Sequence, residues 1–107
     1  MTAVPAFAVQ VHSPESRHPV VHVRGEVDLA TASELDDCLA SVLARDPLDL
    51  TLDLSATEFM DCSGFSLIVR ARTHHPDEFR VILRRPRPFL RRVLGLLDLD
   101  ALLVFEE

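Results

Sequence analysis

The chain has 107 residues, of which 48% are hydrophobic and 26% charged, and its formal net charge is −6. This length fits one domain with its own hydrophobic core, so residues 1–107 are interpreted as a single domain. The acidic balance argues against direct binding to nucleic acid, because proteins that bind it carry a basic surplus. The chain has only two cysteines and no CxxC spacing, so the sequence indicates neither a disulfide scaffold nor a zinc site. We expect no cofactor.

Nothing in the sequence indicates a membrane protein. No apolar run approaches the roughly 20 residues that a membrane-spanning helix needs. The N-terminal segment MTAVPAFAV lacks the basic region and the long apolar region of a secretory signal peptide. We therefore expect a cytoplasmic protein without membrane contact.

The first part of the chain predicts a two-stranded hairpin. Apolar side chains alternate with other types over residues 6–12 and again over residues 19–26, where Val21 and Val23 share one face. The turn cluster at residues 13–16 is short, which favours antiparallel pairing of the two strands.

The next segment predicts a helix. Thr31 fits its N-cap position, and Glu34 fits the capping-box position from which a carboxylate reaches back to the cap. Asp46 ends the helix, since a residue that precedes proline avoids the helical conformation. Apolar side chains recur between these ends at helical spacing, and Cys38 is predicted to be a small core residue among them: Leu35, Cys38, Leu39, Val42 and Leu43.

The central segment predicts a strand rich in leucine, followed by a short polar crossing and a second helix. Leucines alternate with polar residues along the strand and so share one face: Leu48, Leu50, Leu52 and Leu54. The helix begins at the sequence Asp-Cys-Ser-Gly (61–64), residue types that are typical of helix starts, where the first N–H groups lack partners. Ser63 is therefore expected at the positive end of a helix dipole, on the carboxyl side of a strand, where open α/β sheets carry their sites.

The last third predicts a strand, a short helix and an edge strand. Phe79, Val81 and Leu83 form the inward side of the strand, Pro88 fits the first position of the helix, and residues 102–105 form the last strand. Right-handed crossovers then collect the helices on one face, so the fold class is α/β, a mixed sheet of four to five strands with helices mainly on one face. One shared core is predicted: Leu50, Leu52, Leu54, Val21, Val23, Val81, Leu35, Leu39 and Ile68.

Three segments resemble a known family. FMDCSGF (59–65) resembles the signature of the STAS domain, named after sulphate transporters and anti-sigma factor antagonists, and more narrowly that of the single-domain bacterial antagonists. GEVDLATA (25–32) and PFLRRVLGLLDL (88–99) resemble further family segments, so the resemblance covers nearly the whole chain. It implies the STAS fold, a mixed sheet with helices mainly on one side.

The resemblance also implies a function. In the antagonist group the helix-opening serine, which is Ser63 here, is phosphorylated by a partner anti-sigma factor that is a serine kinase. The unphosphorylated form binds this kinase and frees a sigma factor, and a serine phosphatase of the metal-dependent type resets the switch. The protein itself supplies an interface and a substrate hydroxyl, and is not an enzyme. The family commonly has a second serine where this chain has Cys62.

The partner-binding residues implied by the resemblance surround Ser63, and each also has a structural interpretation: Asp28, Thr31, Asp61, Cys62 and Gly64. Asp28 matches a family aspartate near the phosphorylation site, but it equally fits a cap before the helix. Asp61 is predicted to cap the helix, to orient Ser63, or both. Cys62 is interpreted as a small, partly buried filler, with a redox-active thiol as the alternative. Gly64 is predicted to keep the serine accessible or to allow close packing. Ser63 itself could be only an N-cap whose hydroxyl accepts a backbone N–H.

Two other functional hypotheses stay open. The first is a STAS adaptor or scaffold subunit of another signalling or transport assembly, in which Ser63 is only a helix cap. The second, an enzyme with Ser63 as nucleophile, is disfavoured because no G-x-S-x-G motif is present and no His lies near Ser63 in the sequence. A self-contained nucleotidase is disfavoured because no P-loop is present. A basic cluster is interpreted either as solvated surface or as a contact for an anionic partner or a phosphate: Arg84, Arg85, Arg87, Arg91 and Arg92.

Overall fold

One mixed five-stranded sheet with three helices organises the chain. The computed structural model describes residues 6–107. The segment MTAVPAFAV, from which we expect no signal peptide, lies in part outside these residues. The elements, in chain order, are β1 (Ala8–His12), β2 (Val20–Val27), α1 (Ala32–Leu43), β3 (Asp49–Met60), α2 (Cys62–Thr73), β4 (Arg80–Arg84), α3 (Pro88–Leu96), a 3-10 turn (Asp100–Leu102) and β5 (Val104–Glu106).

The strands lie in sequence order across the sheet, β1-β2-β3-β4-β5. The pair β1 and β2 is antiparallel, as the short turn predicts, and the other three pairs are parallel. Each helix joins two neighbouring parallel strands, and right-handed crossovers in one direction place all three on one face. The predicted fold class is confirmed. Within residues 6–107 no helix combines the length and apolar character that crossing a membrane requires.

A single core lies between the sheet and the helices, and every residue of the predicted shared core belongs to it. Two expectations at its margin need correction. Leu48 does not join the inward leucines, because β3 begins only at Asp49 and the Leu48 side chain is 53% exposed. Cys38 is half-buried and packs against the core instead of lying within it, and burial raises the pKa of its thiol.

The central strand is longer than predicted. No polar crossing separates it from α2, because β3 continues as a strand to Met60 and pairs with β2 to the end. Its partner β4 stops at Arg84, opposite Asp53, which leaves the outer edge of the second half of β3 without a strand. The Arg87 side chain lies along this edge. Its Nε donates to the Thr57 carbonyl at 3.0 Å, and its guanidinium pairs with the Glu58 carboxylate at 2.9 Å.

The pairing of β2 with β3 is irregular near its carboxyl end. The register shifts between His22 and Arg24 and again between Gly25 and Glu26. Gly25 has a φ of 87°, a conformation that glycine adopts without a steric penalty. The buried hydroxyl of Thr57 donates to the Val23 carbonyl at 2.9 Å and secures the two strands at this point.

The face of the sheet without helices carries a row of polar side chains across its strands. His12 Nδ1 lies 2.9 Å from His22 Nε2, His22 Nδ1 lies 3.0 Å from Asp53 Oδ2, and Arg84 pairs with Glu106 at 2.7 Å. Burial opposes ionisation of Asp53, but hydrogen bonds from Ser55 and the nearby His22 and Arg84 together outweigh it. They hold the pKa of the Asp53 carboxyl below its ordinary value.

Candidate functional site

The candidate site lies at the carboxyl edge of the parallel strands, where β2 and β3 end side by side. Val27 pairs with Met60 in the last step of their register, so Asp28 and Asp61 follow at the same sheet edge. The Asp61 N–H donates to the Val27 carbonyl at 3.0 Å and joins the two strand ends. The register therefore brings together the turn before α1 and the start of α2, which are far apart in the sequence.

Asp61 is the N-cap of α2. Its backbone is extended, its carboxylate accepts the Ser63 N–H at 2.8 Å, and its carbonyl accepts the N–H groups of Gly64 and Phe65, both at 3.1 Å. The capping role predicted for Asp61 is thus present. The interpretation of Ser63 as the N-cap is wrong, because Ser63 lies two residues after the cap, within the first turn of the helix.

Ser63 presents a free hydroxyl at the positive end of α2. Ser63 is half-buried, and its backbone N–H donates to the Asp61 carboxylate. Within residues 6–107 the Ser63 hydroxyl makes no hydrogen bond. No buried side-chain oxygen or nitrogen in the described part of the chain lacks a partner, so the Ser63 hydroxyl must be in contact with solvent. The arrangement leaves this oxygen chemically available and fixes the backbone that carries it.

Gly64 permits a close approach between α2 and the two strand ends beneath it. A Cβ at this buried position would lie 2.5 Å from Met60 Cγ and 2.9 Å from Val27 Cγ1. These separations are shorter than van der Waals contact, so the close-packing interpretation of Gly64 has a direct structural basis. Cys62, by contrast, is exposed, and its predicted role as a partly buried filler is wrong because the first turn of α2 projects it outward.

Asp28 and Thr31 close the turn that precedes α1. The Asp28 carboxylate accepts the N–H groups of Ala30 at 3.0 Å and of Thr31 at 3.1 Å. The Thr31 hydroxyl accepts the Asp28 N–H at 3.0 Å and donates to the Glu26 carbonyl at 2.9 Å. The predicted capping box with Glu34 does not form, because the Thr31 hydroxyl is already used inside this turn and makes no cap bond to the helix.

Three of the five arginines in the basic cluster are neutralised by carboxylates. Arg84 pairs with Glu106, Arg87 with Glu58, and Arg91 with Glu107 at 2.6 Å while its guanidinium stacks over Phe105. These contacts favour the interpretation of the cluster as surface. Among residues 6–107, no three or more His, Cys, Asp or Glu side chains are grouped so that they could hold a metal ion.

The family model described as "Mlab, STAS domain" matches residues 12–104. The chain belongs to the STAS domain family. This confirms the resemblance carried by the segment around Ser63. This STAS domain is 32% identical over 83 residues to "Anti-sigma-F factor antagonist RsfB" of Mycobacterium tuberculosis, a match that covers 76% of the chain and 66% of the relative. The chain thus spans slightly less than two thirds of the length of that curated relative.

Solved structures give the same fold. An anti-sigma factor antagonist from Mycobacterium paratuberculosis superposes with a TM-score of 0.75 at 31% identity, over 94% of this STAS domain and 84% of that chain. The Bacillus cell fate determinant SpoIIAA in its phosphorylated form superposes with a TM-score of 0.69 at 20% identity, over 94% and 92% of the two chains. At that lower identity the likeness shows the fold alone.

Sequence reasoning missed two contributors to the site. Arg87 was assigned only to the basic cluster, although it holds the edge of β3 that leads to Asp61. The apolar spacing of the last helix predicts Leu97 on its inward side, and no role was predicted for Leu99, although the two leucines form one wall of a groove that begins at Cys62. No local pattern signals either role, since both depend on contacts between distant segments.

Proposed function

We propose that this protein is an anti-sigma factor antagonist switched by phosphorylation of Ser63. In its unphosphorylated form it binds an anti-sigma factor that is a serine kinase, and this binding releases a sigma factor. Phosphorylation of Ser63 by the same kinase ends the binding, and a serine phosphatase of the metal-dependent type restores it. The protein contributes an interface and a substrate hydroxyl, with no catalysis of its own.

The observation that carries the proposal is the free, solvent-accessible hydroxyl of Ser63 on a helix turn that Asp61 caps. A phosphoacceptor hydroxyl must be reachable and must not be needed to hold its own backbone, and Ser63 meets both conditions. The names of the two mycobacterial relatives, both antagonists of anti-sigma factors, support the same assignment.

The local electrostatics explain how a phosphate could switch binding without unfolding the domain. A phosphoserine carries about −1.5 to −2 charges at neutral pH. The dipole and the first N–H groups of α2 favour an anion at this end of the helix, so the fold tolerates the group. The same charge, placed at an interface near Asp61 and Asp28, would have to be desolvated without a partner when the kinase binds, which is unfavourable.

The test is a calorimetric titration of the wild type, Ser63→Ala and Ser63→Asp against a kinase-type anti-sigma factor from the same genome. Ser63→Ala should bind like the wild type and should resist phosphorylation by that kinase and ATP, measured as the mass of the intact protein. Ser63→Asp should bind at least tenfold more weakly, which corresponds to about 1.4 kcal/mol. Ser13→Asp is the charge-matched control, because Ser13 is exposed in the β1–β2 turn at the opposite end of β2.

Equal affinities for all three Ser63 forms would remove this residue from the interface. The adaptor hypothesis, in which Ser63 takes no part in a switch, would then replace the antagonist hypothesis. Melting curves of each variant belong to the same experiment, since a variant that unfolds would lose binding for an unrelated reason.

A further inference from the structure

Two histidines join the edge strand β1 to β2 on the face of the sheet without helices. His12 ends β1, His22 lies within β2, and His12 Nδ1 is 2.9 Å from His22 Nε2. The two rings meet edge to face, with centroids 4.7 Å apart and planes at 83°. Behind them, Asp53 Oδ2 of β3 lies 3.0 Å from His22 Nδ1. The pair of imidazoles therefore shares one hydrogen bond and has a carboxylate on one side only.

The number of protons on the two rings decides whether this hydrogen bond exists. A neutral imidazole carries one N–H and one acceptor nitrogen. The Asp53 carboxylate favours the proton on His22 Nδ1, so that His22 Nε2 accepts and His12 Nδ1 donates. With one further proton, His22 carries a proton on both nitrogens, and His12 Nδ1 becomes the acceptor. With two, both facing nitrogens carry protons, and the bond gives way to two opposed N–H groups and two positive charges.

The other charged groups near the pair do not offset a second positive charge. The turn between β1 and β2 contributes Glu15 and Arg17, both exposed, and His18, whose Nδ1 lies 2.8 Å from Asp49 Oδ2. The charged side chains on this face of the neighbouring strands are of both signs: Arg24, Glu26, Asp49, Arg80, Arg84 and Glu106. Among the described carboxylates, only that of Asp53 pairs with either ring, so it can balance one positive charge and not two.

The attachment of β1 to the sheet depends on few contacts. β1 is an edge strand and pairs with β2 alone. Its apolar side chains Val9 and Val11 are only partly buried against the core. On the opposite face, His12 is the one residue of β1 whose side chain makes a hydrogen bond within residues 6–107. Loss of that bond therefore affects β1 more than it affects a strand with neighbours on both sides.

We propose that the His12–His22 pair is a proton-sensitive contact that loosens β1 from β2 in mild acid. The contact holds with no added proton or with one, and it breaks when the second arrives. Histidine ordinarily changes its charge between about pH 5 and 8, so the loosening falls within that range. The proposal concerns the edge strand and is independent of the switch at Ser63.

The test measures amide hydrogen exchange of β1 relative to β4 by NMR, from about pH 7.5 down to about pH 5. The rates are corrected for the intrinsic pH dependence of exchange, so their ratio reports the local opening of β1. His12→Gln removes the titrating ring but keeps a side chain that can donate or accept a hydrogen bond. His18→Gln is the matched control, because His18 is also an exposed histidine of this hairpin but contacts Asp49 instead of a second imidazole. Melting curves show whether each variant is folded.

We expect the relative protection of β1 in the wild type to fall about fivefold, the size expected from the loss of one hydrogen bond. His18→Gln should fall by the same factor, whereas His12→Gln should change by less than about twofold. Constant protection in the wild type would overturn the proposal. An equal fall in His12→Gln would overturn it as well, because acid would then open β1 by another route.

A second measurement uses the wild type alone and so does not depend on the folding of a variant. The ring Cε1–H signals of His12 and His22 are followed through the same titration. Because a shared hydrogen bond couples the two rings, both signals should move in two common steps. A single independent step for each ring would mean that the rings share no proton, and the proposal would be wrong.

Discussion

The carboxylate of Asp61 accepts the backbone N–H of Ser63 at 2.8 Å, so the helix that carries Ser63 is capped by the residue two positions earlier. The sequence leaves two roles open for Ser63, the cap of the helix and a free hydroxyl, and the structure gives the capping role to Asp61. Asp61 stabilises the helix start, and the Ser63 hydroxyl is left free. The stability of the domain and the reactivity of Ser63 can therefore be altered independently.

The first prediction follows from that separation. Asp61→Ala removes an N-cap and should lower the free energy of unfolding by about 0.5–2 kcal/mol. Ser63→Ala removes a hydroxyl that makes no hydrogen bond within residues 6–107, and should change it by less than about 0.5 kcal/mol. Urea denaturation of both variants measures the difference. A Ser63→Ala variant that is destabilised as much as Asp61→Ala would show that the hydroxyl does hold the helix.

A second prediction concerns the contact between α2 and the strand ends. Gly64→Ala inserts a methyl group 2.5 Å from Met60 Cγ and 2.9 Å from Val27 Cγ1, so the buried contact must shift, at a cost of about 1–3 kcal/mol. Gly95→Ala is the matched control, because it lies in α3 and its Cβ would have only Asp100 Oδ2 nearby, at 4.0 Å. It should leave the midpoint unchanged or raise it, since alanine favours a helix over glycine by about 1 kcal/mol. Equal effects of the two substitutions would contradict the close packing at Gly64.

A third prediction tests the register of β3. Leu52 is buried in the core, whereas Leu48, on the same predicted face, is 53% exposed. Leu52→Ala should reduce the free energy of unfolding by about 2–5 kcal/mol. Leu48→Ala should change it by less than about 0.5 kcal/mol, as is usual at exposed positions. A Leu52→Ala variant with the denaturation midpoint of the wild type would mean that the strand faces the other way.

The fourth prediction concerns acid stability. The pKa of the Asp53 carboxyl is lowered below its ordinary value of 3.8 in the folded protein, so the ionised form stabilises the fold. This contribution is present above the ordinary pKa and is lost as the pH falls through the lowered value. Asp53→Asn should therefore destabilise the protein at about pH 7 and lose this deficit progressively below about pH 4. Thermal melts across this range check the effect, with Asp37→Asn on the exposed side of α1 as the control. A deficit that does not change with pH would assign the effect to packing.

Much of the fold followed from local patterns. Alternation over β2, β3 and β4, and helical spacing over α1, specify which side of each element is apolar, and burying those sides against each other leaves few arrangements. The start of α2 was also predictable, because Asp and Gly around Ser63 are chemically suited to a helix end. The family segments around Asp28 and Ser63 indicated the site without any knowledge of their distance.

Other features depended on contacts between segments that are distant in the chain. The length of β3 depends on its pairing with β2 as far as Met60, and Arg87 donates to the Thr57 carbonyl on the edge that β4 leaves uncovered. The need for glycine at position 64 comes from Met60 and Val27, which meet it only when β2 and β3 end together.

The sequence alone thus determined the order of the elements, their apolar faces and the helix start at Ser63, because those follow from the periodicity and chemistry of neighbouring residues. The tertiary structure decided that Asp61 lies beside Asp28 and that Leu97 forms a groove beside Cys62. Strand register and chain reversal bring these residues together, and neither leaves a signal in the residues on either side of them.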